Sequence, residues 1–425
     1  MATERLGLQA DFYFKTDAYS DSELRVVRFE GTEALSQLFH FRLELAMDEA
    51  EADFDALLGK PGLLRIEGLE ATRYISGIVS RFEQSSEPTR LTHYVAELVP
   101  KIWLLGLRQK SRIFQELSTP DIIKKVLTDA EIPSDEFRIS VAESYEPRDY
   151  CVQYRESDLA FISRLMEEEG IFYFFEHSED KHVLVLGDKS KVFQPIEGNA
   201  TVIFHEATGE EPVKELIYDY KYSELVRPGE VVLRDYAFKK PQLDLTSTKP
   251  ADKFKQLQVY DYPGEYTAPK LGQRLTEVRL QELQTIRKLG RGLTNCRRFV
   301  PGYKFTLDQH QRLNFNQEYL LTQVRHSASQ IQTFKEAAGA GGLIPDYKAS
   351  FSCIPSTQVF RPERVTPRPV IYGSQTAVVT GPAGEEIHVD EHGRIKVHFH
   401  WDREGKLDEK SSCWIRVSQT NTHAS

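Results

Sequence analysis

The amino-acid sequence predicts a mainly β fold of the α+β type, divided into more than one domain. Three observations carry the prediction. Of 425 residues, 24 are Phe and 19 are Tyr, an aromatic weight that favours strands. Short runs of alternating apolar and polar residues, punctuated by Gly, Pro and acidic turns, recur through the first hundred residues and again near the end. The length also exceeds the size at which one hydrophobic core stops growing.

Taken in order, runs at 24–29, 39–45, 63–66, 74–82 and 93–98 have the spacing of an antiparallel sandwich or barrel. A helix then starts with Thr119 as N-cap and Pro120 in its first turn. It places Ile122, Ile123, Val126, Leu127 and Ala130 on one stripe and stops at Pro133. A second helix sets Leu159, Ile162, Leu165 and Met166 on one face, with Gly170 as its terminating residue and an apolar strand at 171–175 after it. A longer helical pattern covers 269–289, through Leu271, Leu275, Val278, Leu283, Ile286 and Leu289, and ends at Gly290 and Gly292. Strands resume at 303–307 and 319–325, and a small-residue loop follows at 337–342. Pro355, Pro362, Pro367 and Pro369 mark an extended linker. Beyond Val370 the chain is strand and turn, at 377–380, 387–389, 394–401 and 414–417. In the third of these, Ile395, Val397, Phe399 and Trp401 share one face and Lys396, His398 and His400 the other, as in a half-buried strand of a small barrel. Four such strands by Ser425 fall one short of an OB-fold barrel.

The net charge of −10, from 64 acidic and 54 basic residues without a basic cluster, argues against a nucleic-acid or anionic-membrane binder. Cys151, Cys296, Cys353 and Cys413 lie far apart with no Cys-x-x-Cys pair, which suits reduced thiols of a cytosolic chain better than a zinc knuckle or disulfide framework. No apolar run reaches the length of a signal h-region or a membrane span, so export would use no ordinary signal peptide.

Catalytic patterns are missing throughout: His205-Glu206 is not completed to His-Glu-x-x-His, and neither a nucleophile elbow nor a phosphate-binding glycine loop occurs. Glu167, Glu168 and Glu169 could pair as acid and base, but at the end of an amphipathic helix a solvated face is expected. His388, His392, His398 and His400 form the one histidine cluster. His398 and His400 on one strand face could bind a metal, yet zinc needs a third and fourth ligand that the spacing does not supply, so surface or interface histidines are expected. Trp401 and Trp414 read as core or subunit-contact residues. No catalytic, cofactor-binding or metal residue is therefore assigned.

A faint repeat runs through the chain. Pro61-Gly62 leads a strand and a turn into a Tyr-led strand at 74–81, and Pro301-Gly302 does the same into 319–326.

Two longer stretches identify a family. Residues 150–177, from Tyr150 through Arg155-Glu-Ser-Asp158 to Phe172-Tyr-Phe-Phe-Glu-His177, resemble the hub signature of VgrG proteins, the spikes of type VI secretion, and of contractile-tail hubs. Residues 378–419, through Asp390-Glu-His-Gly-Arg394, Phe399-His-Trp401 and Ser412-Cys-Trp-Ile-Arg416, resemble the start of their OB-fold neck. The resemblance implies a homotrimer that caps a tube of hexameric Hcp rings, carries effectors and a PAAR-type tip protein, contacts baseplate components, and leaves the cytoplasm for the extracellular space or a target cell. With it, the repeat predicts two superposable antiparallel barrels, so that three chains present six like surfaces to a hexameric ring. The expected divisions are a first hub barrel at 1–110, an α+β hub domain at 111–214, a second barrel with the long helix at 215–345, a Pro-rich linker at 346–370 and part of the neck at 371–425. Two alternatives remain at this stage: a spike bearing a cell-wall hydrolase, and an OB-type module that binds nucleic acid or sugar.

Overall fold

A computed structural model describes residues 11–48, 51–85, 91–205, 214–330 and 346–418. The small-residue loop expected at 337–342 lies outside them. Strands make up 41% of the protein and helices 14%, so the mainly β expectation holds.

Among the described residues six strands come first, β1 (Phe12–Thr16), β2 (Arg25–Ala34), β3 (His40–Met47), β4 (Pro61–Ile66), β5 (Arg73–Gln84) and β6 (Thr92–Val99). A helical stretch follows: β7 (Gln109–Phe114), α1 (Thr119–Asp129), β8 (Phe137–Ser140), β9 (Cys151–Ser157) and α2 (Asp158–Glu169). Next come β10 (Phe172–His177), β11 (His182–Gly187), β12 (Gln194–Pro195), β13 (Thr201–Phe204) and β14 (Leu216–Glu224). After β15 (Glu230–Asp235), β16 (Leu245–Pro250), β17 (Gln258–Asp261) and α3 (Pro269–Gln284), the chain continues with β18 (Lys288–Thr294), β19 (Tyr303–Asp308), β20 (Glu318–Ser329) and β21 (Asp346–Pro355). It closes with β22 (Ala377–Thr380) and β23 (Lys396–Phe399).

These elements form two compact units that interleave in sequence. The first comprises 1–101, 133–142 and 170–363; the second comprises 102–132, 143–169 and 364–425.

The core of the first unit is one thirteen-stranded sheet, ordered β1-β4-β5-β6-β3-β2-β20-β21-β18-β14-β13-β19-β12, in which β19 also pairs with β20. That extra pairing closes β20, β21, β18, β14, β13 and β19 into a ring. The six strands β1 to β6 run in the spatial order 1-4-5-6-3-2. Ranked by position in the chain, the ring strands β13, β14, β18, β19, β20 and β21 run in the same order. Irregularities match as well: β2 bulges against β3 between Val26 and Arg28, and its counterpart β14 bulges against β18 between Ile217 and Asp219. The β5–β6 bulge between Val79 and Arg81 has its counterpart in β20–β21 between Leu321 and Gln323. The second set departs from the antiparallel barrel expected, because β13 pairs parallel with both β14 and β19, whereas β1 pairs with β4 antiparallel.

Among the described residues the first set has no β1–β2 pairing, and a side chain occupies the seam. The amide of Gln330, which is 2% exposed, accepts from the N–H of Asp11 and of Phe12 at 3.0 Å each and donates to the carbonyls of Phe12 at 2.6 Å and Val26 at 3.0 Å. It thereby supplies the bonds a neighbouring strand would otherwise make.

Several local expectations need correction. The first helix is capped by Ser118, whose hydroxyl accepts from the Asp121 N–H, so Thr119 is already inside it. The long helix stops at Gln284, because Gly290 and Gly292 belong to β18. A Cβ at Gly290 would collide with the Tyr220 hydroxyl, and at Gly292 one would lie 2.7 Å from the Phe351 ring, so these glycines make room for aromatic side chains and do not terminate a helix. The 346–370 linker begins too early: β21 occupies 346–355, pairs with β18 and β20, and its apolar positions were hidden among Ser and Lys. The second set therefore extends from β13 to β21, across both edges of the 215–345 division. Of the strands expected beyond Val370, 377–380 forms as β22 and pairs with β23, while 387–389 is irregular and 414–417 contributes a single bridge between Ile395 and Ile415. Gly170 does end the second helix, at φ +71°.

Between β14 and β18 sits a lobe of β15, β16, β17 and α3 with its own core of Val231, Leu233, Leu245, Tyr266, Leu275 and Leu280. The corresponding connection in the first set, from β2 to β3, spans only 35–39.

Candidate functional site

One cluster of buried polar groups in the first unit lies where the two strand sets meet along the β2–β20 pairing. Glu33 of β2 is 5% exposed and is ion-paired to Arg73 of β5. Arg73 donates to the Phe299 carbonyl at 2.8 Å, His326 of β20 lies 3.0 Å from Glu33, and the Tyr347 hydroxyl of β21 meets His326 Nδ1 at 2.7 Å. Burial would raise the Glu33 carboxyl, but Arg73 and the His326 hydrogen bond outweigh it and hold it at about 2. Burial pushes His326 down. A neutral ring protonated at Nε2 satisfies both neighbours, donating to Glu33 and accepting from Tyr347. Two further histidines pack beside Phe39: desolvation drives His177 to about 4 and His182 to about 3. His182 Nε2 accepts the Lys101 N–H at 3.1 Å and His177 Nδ1 that of Ser76 at 3.2 Å, which fixes both rings.

At 358–361 the chain is fastened within this unit. Gln358 donates to the carbonyls of Thr285 and Lys288, so it satisfies the exit from α3. Arg361, 5% exposed, donates to the carbonyls of Gly170 at 2.7 Å and Asp188 at 3.0 Å and to the Gln281 side chain at 2.8 Å.

In the second unit, the end of α2 grips the next few residues. The Glu167 carboxylate accepts from the N–H of Val365 at 3.1 Å, the N–H of Thr366 at 2.9 Å and the Thr366 hydroxyl at 2.6 Å. Glu168 takes Arg368 at 2.9 Å and Arg148 at 3.0 Å, and Arg148 reaches Glu169 at 2.6 Å. Burial would raise the Glu168 carboxyl; Arg148 and Arg368 bring it below its usual range. Glu167 and Glu169 are only 9% and 7% exposed, so the solvated face expected for 167–169 is wrong. The three acids are each paired, and Glu167 and Glu168 form a clasp on the segment that leads into β22. Helical periodicity placed them off the apolar stripe but could not reveal the distant partner that buries them.

The other end of α2 is held by Arg112, which is fully buried. It reaches Gln153 at 2.8 Å, Asp129 at 2.9 Å and Asp158, the first residue of α2, at 3.1 Å. Asp158 also faces Arg108 at 3.1 Å, and a carboxylate at a helix start suits the dipole. Sequence reasoning singled out none of these, although Gln153 and Asp158 lie inside the diagnostic 150–177 stretch.

The four histidines do not converge. His388 packs on Trp414 at 5.0 Å between ring centroids and lies 3.4 Å from Glu385, while His392 lies 3.5 Å from Glu391. His398 sits on β23 opposite Val378, and His400 is exposed beyond its end. Among the described residues no three His, Cys, Asp or Glu side chains are grouped as a metal would require. Trp401 stacks on Phe399 and meets Tyr154 edge-on, inside the second unit. All four cysteines are free. The arrangement throughout is one of fixed joints.

Comparison with known proteins follows the same line. The phage tail baseplate hub family (GPD) matches residues 32–332. A Pseudomonas aeruginosa protein, type VI secretion system spike protein VgrG1c, is 38% identical over 401 residues, 93% of this chain and 54% of its own length. The chain spans about half the length of such curated relatives. Among solved structures, an Escherichia coli component of the type VI secretion system, itself described as similar to the bacteriophage T4 tail proteins gp27 and gp5, superposes with a TM-score of 0.70 at 20% identity, covering 95% of this chain and 92% of that one. A Francisella PdpA–VgrG complex gives 0.51 at 10% identity, covering 90% of this chain and 57% of that chain. Both show likeness of fold.

Proposed function

The chain belongs to the phage tail baseplate hub family, in its VgrG branch, and on that premise we propose that it is the hub and spike base of a type VI secretion apparatus, working by geometry and without turnover. Its first unit is then a pair of like barrels, and its second carries the root of an OB-fold neck. Three chains bring six similar surfaces to a hexameric Hcp ring, which removes the mismatch between a trimer and a hexamer. The observation that carries this is the shared strand order of β1 to β6 and β13 to β21, with bulges at matching places. The rest of a longer spike, a PAAR-type tip, effectors and baseplate components are the partners it implies; the Francisella PdpA–VgrG complex supports the partner class. Assembly in the cytoplasm followed by ejection toward a target cell completes the proposal.

Light scattering on the purified chain tests the assembly. The expected mass is that of a trimer, or of a concentration-dependent mixture of trimer and monomer, and a strict dimer would contradict it. Peptidoglycan and peptide digestion test the absence of turnover: blank-level rates are expected, and activity abolished by changing a single Glu or His would overturn it.

A further inference from the structure

The lobe between β14 and β18 has no counterpart in the first strand set, where five residues make the same connection. Its own core closes on α3, so the repeated fold does not need it. What it adds is a surface. Val231, Leu233 and Leu245 point inward, which leaves Val232, Arg234, Thr246, Thr248 and Tyr260 on the outer face, with Val232 paired between Thr248 and Tyr260. Alternation carried past the strand ends adds Tyr236 and Tyr262. Tyr236, Tyr260 and Tyr262 are each 56% exposed, and rings of that size clustered on one face mark an interface.

Charge indicates what covers it. Residues 225–287 hold eleven Lys and Arg against eight Asp and Glu, a net of +3, so the remainder of this −10 chain carries −13. Lys239 and Lys240 at one end of the sheet and Lys253 and Lys255 at the other are exposed and have no ion-pair partner among the described residues. The excess of carboxylates therefore lies outside the lobe, and a second copy offers it to these lysines away from that copy's own lobe.

We propose that the tyrosine face of this lobe docks on the acidic surface of a neighbouring copy of the same chain. Two basic lobes facing each other would repel, so the contact is head-to-tail, and a head-to-tail contact that closes gives a ring and not a twofold dimer. This rests on the trimeric hub proposed above and names one surface that holds it.

The test is sedimentation velocity on the whole chain across a concentration series, at low and high salt. Two variants accompany it, Tyr236→Ser with Tyr260→Ser, and Lys239→Glu with Lys240→Glu, Lys253→Glu and Lys255→Glu. Hydrogen exchange in Val231, Leu233 and Leu245 checks that the lobe core is intact. The expected result is a trimer whose dissociation constant rises at least tenfold in each variant and in the unmodified protein at high salt. A trimer that neither variant nor salt weakens overturns the docking face while leaving the trimeric hub in place. A monomer at every concentration, or a dimer, overturns the trimeric hub and the docking face together.

Discussion

Replacing Glu167 measures the clasp on the segment that leads into β22. Its carboxylate accepts two backbone N–H groups and one hydroxyl at 2.6 to 3.1 Å, in a residue 9% exposed. In Glu167→Ala, the N–H groups of Val365 and Thr366 lose their acceptor. A buried donor left unmet costs about 1–3 kcal/mol, so a loss of about 3 kcal/mol is expected for the pair after partial rehydration. Glu167→Gln keeps one oxygen for the two N–H groups, and its amide can donate to the Thr366 hydroxyl. That variant exchanges charge-assisted bonds for neutral ones at a cost of about 1 kcal/mol. Urea unfolding gives both values. Hydrogen exchange localises them, with faster exchange expected at the 365 and 366 amides and little change in α1. Equal losses in the two variants, or unaltered exchange at 365 and 366, would refute the clasp.

Stability should fall with acid through His177 and His182. Their folded values lie near 4 and 3, below the ordinary histidine range, so the unfolded chain binds protons first, and the stabilisation present above about pH 6.5 is lost as pH falls toward 4, at up to about 1.4 kcal/mol per unit for each ring; a flat urea midpoint between pH 7 and 5 would contradict this. Gln330→Ala should cost about 2–4 kcal/mol, and Gln330→Glu should be no better because one oxygen would then face the carbonyls of Phe12 and Val26, so thermal melts showing a neutral Gln330→Glu would remove the seam's role. Gly290→Ala should destabilise by about 1–3 kcal/mol, since its Cβ meets the Tyr220 hydroxyl and lies 2.7 Å from the Cys353 sulfur; an unchanged denaturation midpoint would mean that the ring interior yields freely.

Much of the strand content was legible because the pattern was local. Alternation located β3 to β6 closely and the first half of β2 while missing β1, and the Pro-Gly repeat fell on two antiparallel hairpins, β4–β5 and β19–β20, that hold the same place in their sets. What escaped was non-local. β21 alternates Tyr347, Ala349, Phe351 and Cys353 inward with Lys348 and Ser350 outward, but its proline-rich sequel gave 346–370 the look of a linker. Gly290 and Gly292 fitted a helix end as well as a strand, and only Tyr220 and Phe351 across the sheet decide between them. Glu167 and Glu168 followed the same logic, since Thr366 and Arg368, about two hundred positions on, hold them, while Arg148 holds Glu169. Gln330 carries no signal that its amide completes a sheet. Units that interleave in sequence are equally invisible to a linear division, because α1 and α2 belong with 364–425.

The central claim is that one chain supplies two equivalent surfaces to a sixfold ring. The most direct measurement is the stoichiometry of the purified chain bound to isolated Hcp hexamers, by mass photometry over a concentration series. Three chains on one hexamer is the predicted saturation. Six chains per hexamer, a single chain, or no complex at concentrations where the trimer is intact would contradict it.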